Sequence, residues 1–184
     1  KDLPVNADPL VSVIILNYNG EGYLDNCLSS VLKTEYSNFE VILVDNASTD
    51  SSIANALESF GSDPRLKLVR NNVNLGFSGG NNVGFTCSKG AFIVFLNNDT
   101  IVDSYWLKYL VESLQNDETI GLAQSMILMI NGDKIQTAGW LFRDYLLLKH
   151  GLAENKTSSL KLQPIFEVSV ASGAAMIIKR TLIN

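Results

Sequence analysis

The sequence predicts an α/β sandwich: a mostly parallel central sheet with helices on both faces. Short apolar runs rich in β-branched residues recur at Val11–Leu16, Phe39–Val44, Leu66–Val69 and Phe92–Leu96. Segments with apolar residues at helical spacing separate them, and clusters rich in Asn, Asp and Gly close them. Strands alternating with helices in this way pair in parallel through right-handed crossovers. The 184 residues, 46% of them hydrophobic, suit one domain with a substantial core.

Val11–Leu16 is nearly continuous in apolar residues and stops at Asn17, Asn19 and Gly20, as a strand buried on both faces should. Leu24, Cys27, Leu28, Val31 and Leu32 then form one helical stripe, with Glu21, Asp25 and Lys33 off it. Phe39–Val44 repeats the strand pattern, and Asp45–Asp50 turns the chain into a second helix carrying Ile53, Ala56, Leu57 and Phe60. Leu66–Val69 is a third strand, Ser78–Ser88 a helix and Phe92–Leu96 a fourth strand. A helix over Asp103–Gln115 follows, its core side marked by Trp106, Leu107, Leu110, Val111 and Leu114.

Beyond Ile120 the pattern changes to an extended apolar stretch over Ile120–Ile130. The Asn131-Gly132 turn then allows Lys134–Ala138 to return antiparallel, giving a mixed sheet. Asp144–Gln163 reads as a long loop over one edge. Val168–Ile178 is a last strand interrupted at Ser172-Gly173, where glycine in a strand marks a bulge or a close approach.

The net charge of -5 and the absence of a dense Lys/Arg run argue against nucleic acid as a partner. No apolar run reaches the roughly 20 residues of a membrane span, and Lys1-Asp2-Leu3-Pro4 is no signal-peptide core. Cys27 and Cys87 fall in predicted helices and read as two buried thiols of a reducing compartment. The expected location is cytoplasmic, with peripheral attachment at the inner membrane face as an option. Three Asn-X-Ser/Thr triplets, at Asn46, Asn98 and Asn155, read as chance matches. A chain opening at Lys1 and stopping at Leu182-Ile183-Asn184 looks like an excised piece. Residues 1–184 are expected to be one N-terminal domain, incomplete at its C-terminal end.

In a parallel sheet, clusters that end successive strands converge on the carboxyl edge, where ligands bind. Here they are Asn17-Tyr18-Asn19, Asp45-Asn46-Ala47-Ser48, Asn71–Asn82 and Asn97-Asn98-Asp99. A carboxylate such as Asp99 at the mouth of a buried strand calls for a cation or hydrogen-bond donors. Asn74-Leu75-Gly76-Phe77-Ser78-Gly79-Gly80-Asn81-Asn82 offers bare backbone N–H groups ahead of a helix, suited to phosphate or ribose. It is neither a Walker A loop nor a dinucleotide fingerprint. Plainer roles stand beside these: Asp99 capping the next helix, for which Asp103 is the better candidate, and Asp45 bonding its own turn. Trp106 reads as core, Trp140 as lining a ligand groove and His150 as surface.

The order Val11-Ser12-Val13-Ile14-Ile15-Leu16-Asn17-Tyr18-Asn19, Val44–Asp50, Asn74–Asn82, Leu96-Asn97-Asn98-Asp99-Thr100 and Ser172-Gly173-Ala174-Ala175-Met176 resembles the family 2 glycosyltransferases, especially their rhamnosyltransferase-like branch. The match runs from Leu10 to about Arg180. The resemblance implies a GT-A fold, a nucleotide-diphosphate sugar donor (a UDP- or dTDP-sugar), Mg²⁺ or Mn²⁺, and inversion at the anomeric carbon. It also implies a saccharide or lipid-linked acceptor, in surface polysaccharide or glycolipid synthesis. Tyr18 and the Asp45-Asn46 pair would hold the nucleobase, the Asn74–Asn81 loop with Gly76 would contact base and ribose, and Asn98 would face ribose or diphosphate. Asn17, Asn19 and Asn97 would belong to the same nucleotide-sugar site, Asp99 would ligate the metal, and Gly173 and Ala174 would lie on the acceptor side.

Two departures from the family pattern stand out. Asn46 and Asn98 occupy positions where many relatives carry acids, and an amide brings no charge. The family's general base follows the Ser-Gly-Ala segment in an acidic motif that this chain does not contain; Glu167 and Asp144 are the nearest carboxylates and neither stands in such a motif. Two other readings remain open: a non-catalytic nucleotide-sugar-binding module, and a sugar-1-phosphate nucleotidyltransferase. The latter needs a basic glycine-rich loop after the first strand, which Asn17-Tyr18-Asn19-Gly20-Glu21 is not.

Overall fold

The computed structural model describes residues 8–130, 132, 134–143, 146–149 and 167–183. In chain order the elements are β1 (Val11–Asn17), α1 (Leu24–Leu32), β2 (Phe39–Asp45), α2 (Ser52–Phe60), β3 (Leu66–Arg70), α3 (Gly76–Cys87), β4 (Phe92–Asn97) and α4 (Trp106–Asn116). Then come β5 (Leu122–Gln124), β6 (Ile127–Leu128), β7 (Ile135–Thr137), β8 (Trp140–Arg143), β9 (Leu146–Lys149) and β10 (Ala175–Lys179), with a closing 3₁₀ turn at Arg180–Leu182.

A six-stranded sheet runs β3-β2-β1-β4-β10-β5. The first four strands are parallel, and β10 is antiparallel to both of its neighbours. The chain steps outward from β1 to β3, then crosses back over β1 to β4. With right-handed crossovers this reversal puts α3 on the opposite face from α1 and α2. It also creates a topological switch point between β1 and β4, and the crevice outside their carboxyl ends is the expected ligand position.

The β1 side chains show the two faces. Val11, Val13 and Ile15 join the core beneath α1, α2 and α4, whereas Ile14 packs with Ile42, Val44 and Ile93 beneath α3. Helix α3 carries three interior glycines, each costing about 1 kcal/mol of helix propensity against alanine. Two of them are explained by closeness: a Cβ on Gly80 would strike Leu16, and one on Gly84 would meet Ile14 and Val44. The helix therefore lies almost on the sheet and brings the loop before it over the carboxyl edge.

Four expectations are corrected. Helix α3 begins at Gly76 rather than Ser78, because Gly76 adopts φ +71 and turns the chain directly into it. Cys87 closes α3 and is exposed, the buried position there passing to Ser88, so only Cys27 is a buried thiol. Leu146–Lys149 is not loop but pairs antiparallel with Trp140–Arg143; the rest of the expected loop, with Asp144, His150 and Asn155, lies outside the described residues. The last strand is only Ala175–Lys179, because Gly173 and Ala174 form a turn in which the Ala174 amide donates to the Ser172 hydroxyl. No helix among the described residues is long and apolar enough to cross a membrane.

Candidate active site

The carboxyl ends of β1, β2, β3 and β4 meet through side-chain amides. Asn17, fully buried, sits in register with Asp45 on one side, while the preceding Leu16 pairs with Asn97 on the other. Its Nδ2 donates to the hydroxyls of Ser52 (2.9 Å) and Ser48 (3.1 Å), and its Oδ1 accepts from Asn98 Nδ2 at 2.8 Å. Gly20 lies against this pair, for a Cβ there would collide with both amides.

Asn46 does the same work between β2 and β3. It is 2% exposed; its Oδ1 accepts from Asn71 Nδ2 and the Leu75 amide, each at 3.0 Å. Its Nδ2 donates to Asn74 Oδ1 (2.7 Å) and the Gly76 carbonyl (3.3 Å). Asn74 Oδ1 also accepts from the Gly76 amide at 2.8 Å, an Asx turn that leads into α3. Asn19 and Ala47 hold left-handed backbone at φ 52 and 65. For Ala47 this costs about 1–2 kcal/mol. Asn19 is tied to the same loop, its Oδ1 accepting from the Thr49 amide (2.8 Å) and its own amide donating to Ser48 Oγ (3.1 Å). Asn81 is buried in α3 and donates to the Phe77 carbonyl at 3.0 Å.

The carboxylates are placed differently. Asp45, 4% exposed, accepts from the Ser48 amide through Oδ1 (2.9 Å) and directs Oδ2 toward Arg70 Nη1 at 3.6 Å. It therefore bonds its own turn and keeps one oxygen beside a cation. Asp50 accepts from the Ser52 hydroxyl and from the amides of Glu21 and Ser52. Burial pushes the Asp50 carboxyl up, but these donors outweigh it and hold it below the ordinary range.

Asp99 is exposed and makes no hydrogen bond or ion pair with the described residues. Asp103, not Asp99, holds the turn into α4, its Oδ1 accepting from the Tyr105 amide at 2.9 Å. Beneath Asp99, burial, reinforced by the nearby Asp99 charge, pushes the Cys27 thiol up to about 12. The thiol stays protonated and donates to the Asn97 carbonyl at 3.5 Å. No cluster of three or more His, Cys, Asp or Glu able to cage a metal occurs among the described residues. A lone exposed carboxylate flanked by amides suits Mg²⁺ or Mn²⁺, which takes its remaining ligands from phosphates and water.

Around this edge stand exposed apolar groups: Tyr18 (49%), Val73 (61%), Leu75 (45%) and Phe77 (57%). Gly173 lies across from the Phe77 ring, and the Ala174 carbonyl accepts from the Asn97 amide at 2.9 Å, so the Ser172–Ala174 turn borders the end of β4. Trp140 is half-buried in β8, bridged to Val170. A cavity of about 570 Å³ lined by Tyr36, Arg65 and Lys108 shares no residue with the strand-end clusters. It opens where β2 and β3 begin, at the other edge of the sheet.

Sequence reasoning missed Arg70 and Ser52. Arg70 ends β3 and so occupied the same strand-end position as the residues singled out; that position was its signal. Ser52, on the first turn of α2, gave none, because its partner Asn17 is 35 residues away.

The model of glycosyl transferase family 2 matches residues 12–183. An uncharacterized glycosyltransferase of Haemophilus influenzae is 31% identical over 147 residues, 80% of this chain and 46% of that protein. The Escherichia coli enzyme WfgD, a UDP-Glc:alpha-D-GlcNAc-diphosphoundecaprenol beta-1,3-glucosyltransferase, is 39% identical over 94 residues, 51% of this chain and 36% of its own. Among solved structures, the mannosyltransferase PcManGT of Pyrobaculum calidifontis, in complex with GDP-Man and Mn²⁺, superposes with a TM-score of 0.67 at 22% identity, over 95% of this chain and 46% of that one. The chain thus spans about half the length of the first of these relatives. With strand order, switch point and family match in agreement, the fold is GT-A and the chain belongs to glycosyl transferase family 2.

Proposed function

We propose that this chain is the donor-binding domain of a glycosyltransferase of the rhamnosyltransferase-like branch. It takes a UDP- or dTDP-sugar and serves transfer, with inversion, to a saccharide or lipid-linked acceptor in surface polysaccharide or glycolipid synthesis. The observation that carries this reading is the placing of Asp45 and Asp99 at the ends of β2 and β4, on either side of the switch point at β1. WfgD, named for a UDP-sugar and a diphosphoundecaprenol acceptor, supports the donor and acceptor classes.

Asp45 Oδ2 and the exposed Tyr18 ring receive the nucleobase: the carboxylate accepts an N–H of the base and the ring offers a stacking face. The backbone around Gly76 receives ribose. Asp99 holds the divalent cation, which when bound neutralises charge growing on the diphosphate as the glycosidic bond breaks. Asn97 and Asn98 line the same end without adding negative charge that would repel the phosphates. The acceptor enters past Gly173 and Ala174. Glu167 is exposed and belongs to none of the strand-end sequence clusters.

Thermal denaturation tests the reading. Uridine diphosphate or thymidine diphosphate with Mn²⁺, at about 100 times Kd, adds ~2.7 kcal/mol, or roughly 5–10 °C in Tm for a chain of this size. Asp99→Ala is expected to remove the Mn²⁺-dependent part and leave the smaller metal-free shift. If no nucleotide moves Tm with or without metal, the reading is wrong.

A further inference from the structure

Asn17 bonds to both the loop after β2 and the loop after β4, and we propose that it is a positioning residue that sets the base end against the metal end, so that order at one is transmitted to the other. The inference rests on the site reading above. Strands β2 and β4 are not neighbours; β1 lies between them. The loop after β2 therefore reaches the loop after β4 across the terminus of β1, and the side chain there is Asn17.

Each bond in the chain of contacts is short and inward. Asn98, next to Asp99, donates to Asn17 Oδ1 at 2.8 Å; Asn17 Nδ2 donates to Ser52 Oγ at 2.9 Å; the Ser52 hydroxyl donates to Asp50 Oδ1 at 2.5 Å. A branch from Asn17 Nδ2 to Ser48 Oγ reaches the turn whose amide Asp45 accepts. With its proton committed to Asp50, Ser52 needs a donor from the other side, and Asn98 needs an acceptor. A side-chain amide meets both demands at once; a carboxylate would meet only the second and would put a second negative charge beside Asp50. Asn17 is 0% and Ser52 2% exposed, so neither side chain is a surface for ligand.

The experiment uses the full chain with Ser52→Ala and Asn17→Asp beside wild type. Ser52 belongs to α2 and stands away from Asp99 in both sequence and strand order. Two quantities are measured: amide hydrogen exchange of residues 97–100, compared at matched global stability, and the gain in uridine diphosphate affinity on adding Mn²⁺. Loss of one buried hydrogen bond corresponds to about 5- to 10-fold, so exchange at 97–100 should rise, and the Mn²⁺ gain fall, by about that factor in Ser52→Ala. Asn17→Asp should do at least as much. Loosening confined to residues 45–52, with 97–100 and the Mn²⁺ gain as in wild type, overturns the inference. Absence of any nucleotide binding in wild type would instead refute the site reading, and the exchange measurement still decides whether the two loops are coupled.

Discussion

At the edge of the sheet opposite the proposed donor site, Glu40 gives a sharp test of what holds the sheet together. Its side chain is 8% exposed and accepts from the Ser12 hydroxyl (2.7 Å), the Lys89 amide (2.7 Å) and Lys67 Nζ (2.5 Å). Glu40→Ala strands the fully buried Ser12 hydroxyl proton, a loss of about 1–3 kcal/mol. Lys67 is half-exposed, so its ion pair adds only about 0–1 kcal/mol. The Lys89 amide keeps a bond to Ser12 Oγ at 3.2 Å and adds little. The expected loss is about 2–3 kcal/mol, or roughly 5–10 °C in Tm for this size of chain. Glu40→Gln retains an oxygen for Ser12 and Lys89 and should lose about half as much.

The pH dependence of the same group has a definite sign. Burial pushes the Glu40 carboxyl up, but the Lys67, Ser12 and Lys89 donors outweigh it and hold it below its ordinary 4.5. A depressed carboxyl contributes stability fully above the ordinary value and loses it as pH falls through the folded value. Urea denaturation of wild type and Glu40→Gln from pH 7 down to pH 3 should therefore show the two curves converging in acid. An Ala variant within about 0.5 kcal/mol of wild type, or curves that stay parallel through pH 3, would refute the argument.

Two other substitutions test how α3 and its loop are held. Gly84→Ala places a methyl against Ile14 and Val44; overpacking of about 1–3 kcal/mol against ~1 kcal/mol of helix propensity predicts a net loss of about 1 kcal/mol by urea denaturation, and a gain would show that α3 has slack. Asn46→Ala removes the side chain that holds Asn71, Asn74, Leu75 and Gly76, so limited proteolysis within 71–77 should quicken by about 10-fold or more while the sheet stays folded; unchanged cleavage would mean the loop is ordered without Asn46.

The sheet was legible because its signals are local. A run such as Val41–Val44 reads as a doubly buried strand wherever it pairs, and Trp106, Leu107, Leu110, Val111 and Leu114 mark one helix face without reference to a partner. The antiparallel part was less so. β10 shows its place only through pairing with β4 and β5, and the turn at Gly173 cut short a run that composition alone extends. In the candidate site, sequence located the clusters but not the use of each amide. Whether Asn17 faces a ligand or a serine depends on residues 35 and 81 positions away, and no local pattern carries that.

The asparagines at this edge explain one another physically. The loops at the strand ends already gather Asp45, Asp50 and Asp99, so further carboxylates there would repel one another. An amide carries donor and acceptor together and no charge, and can therefore stitch loops across strands without adding to that field. Asn46 shows what an acid would lose: a carboxylate there could accept from Asn71 and Leu75 but could not donate to the Gly76 carbonyl or to Asn74 Oδ1, which would keep only the Gly76 amide. Asn98 is the same case, since its Nδ2 is the donor that reaches Asn17. At these two positions an amide in place of a carboxylate thus alters loop geometry as well as charge. Loops tied down beforehand spare the proposed donor part of the ordering cost that binding would otherwise carry.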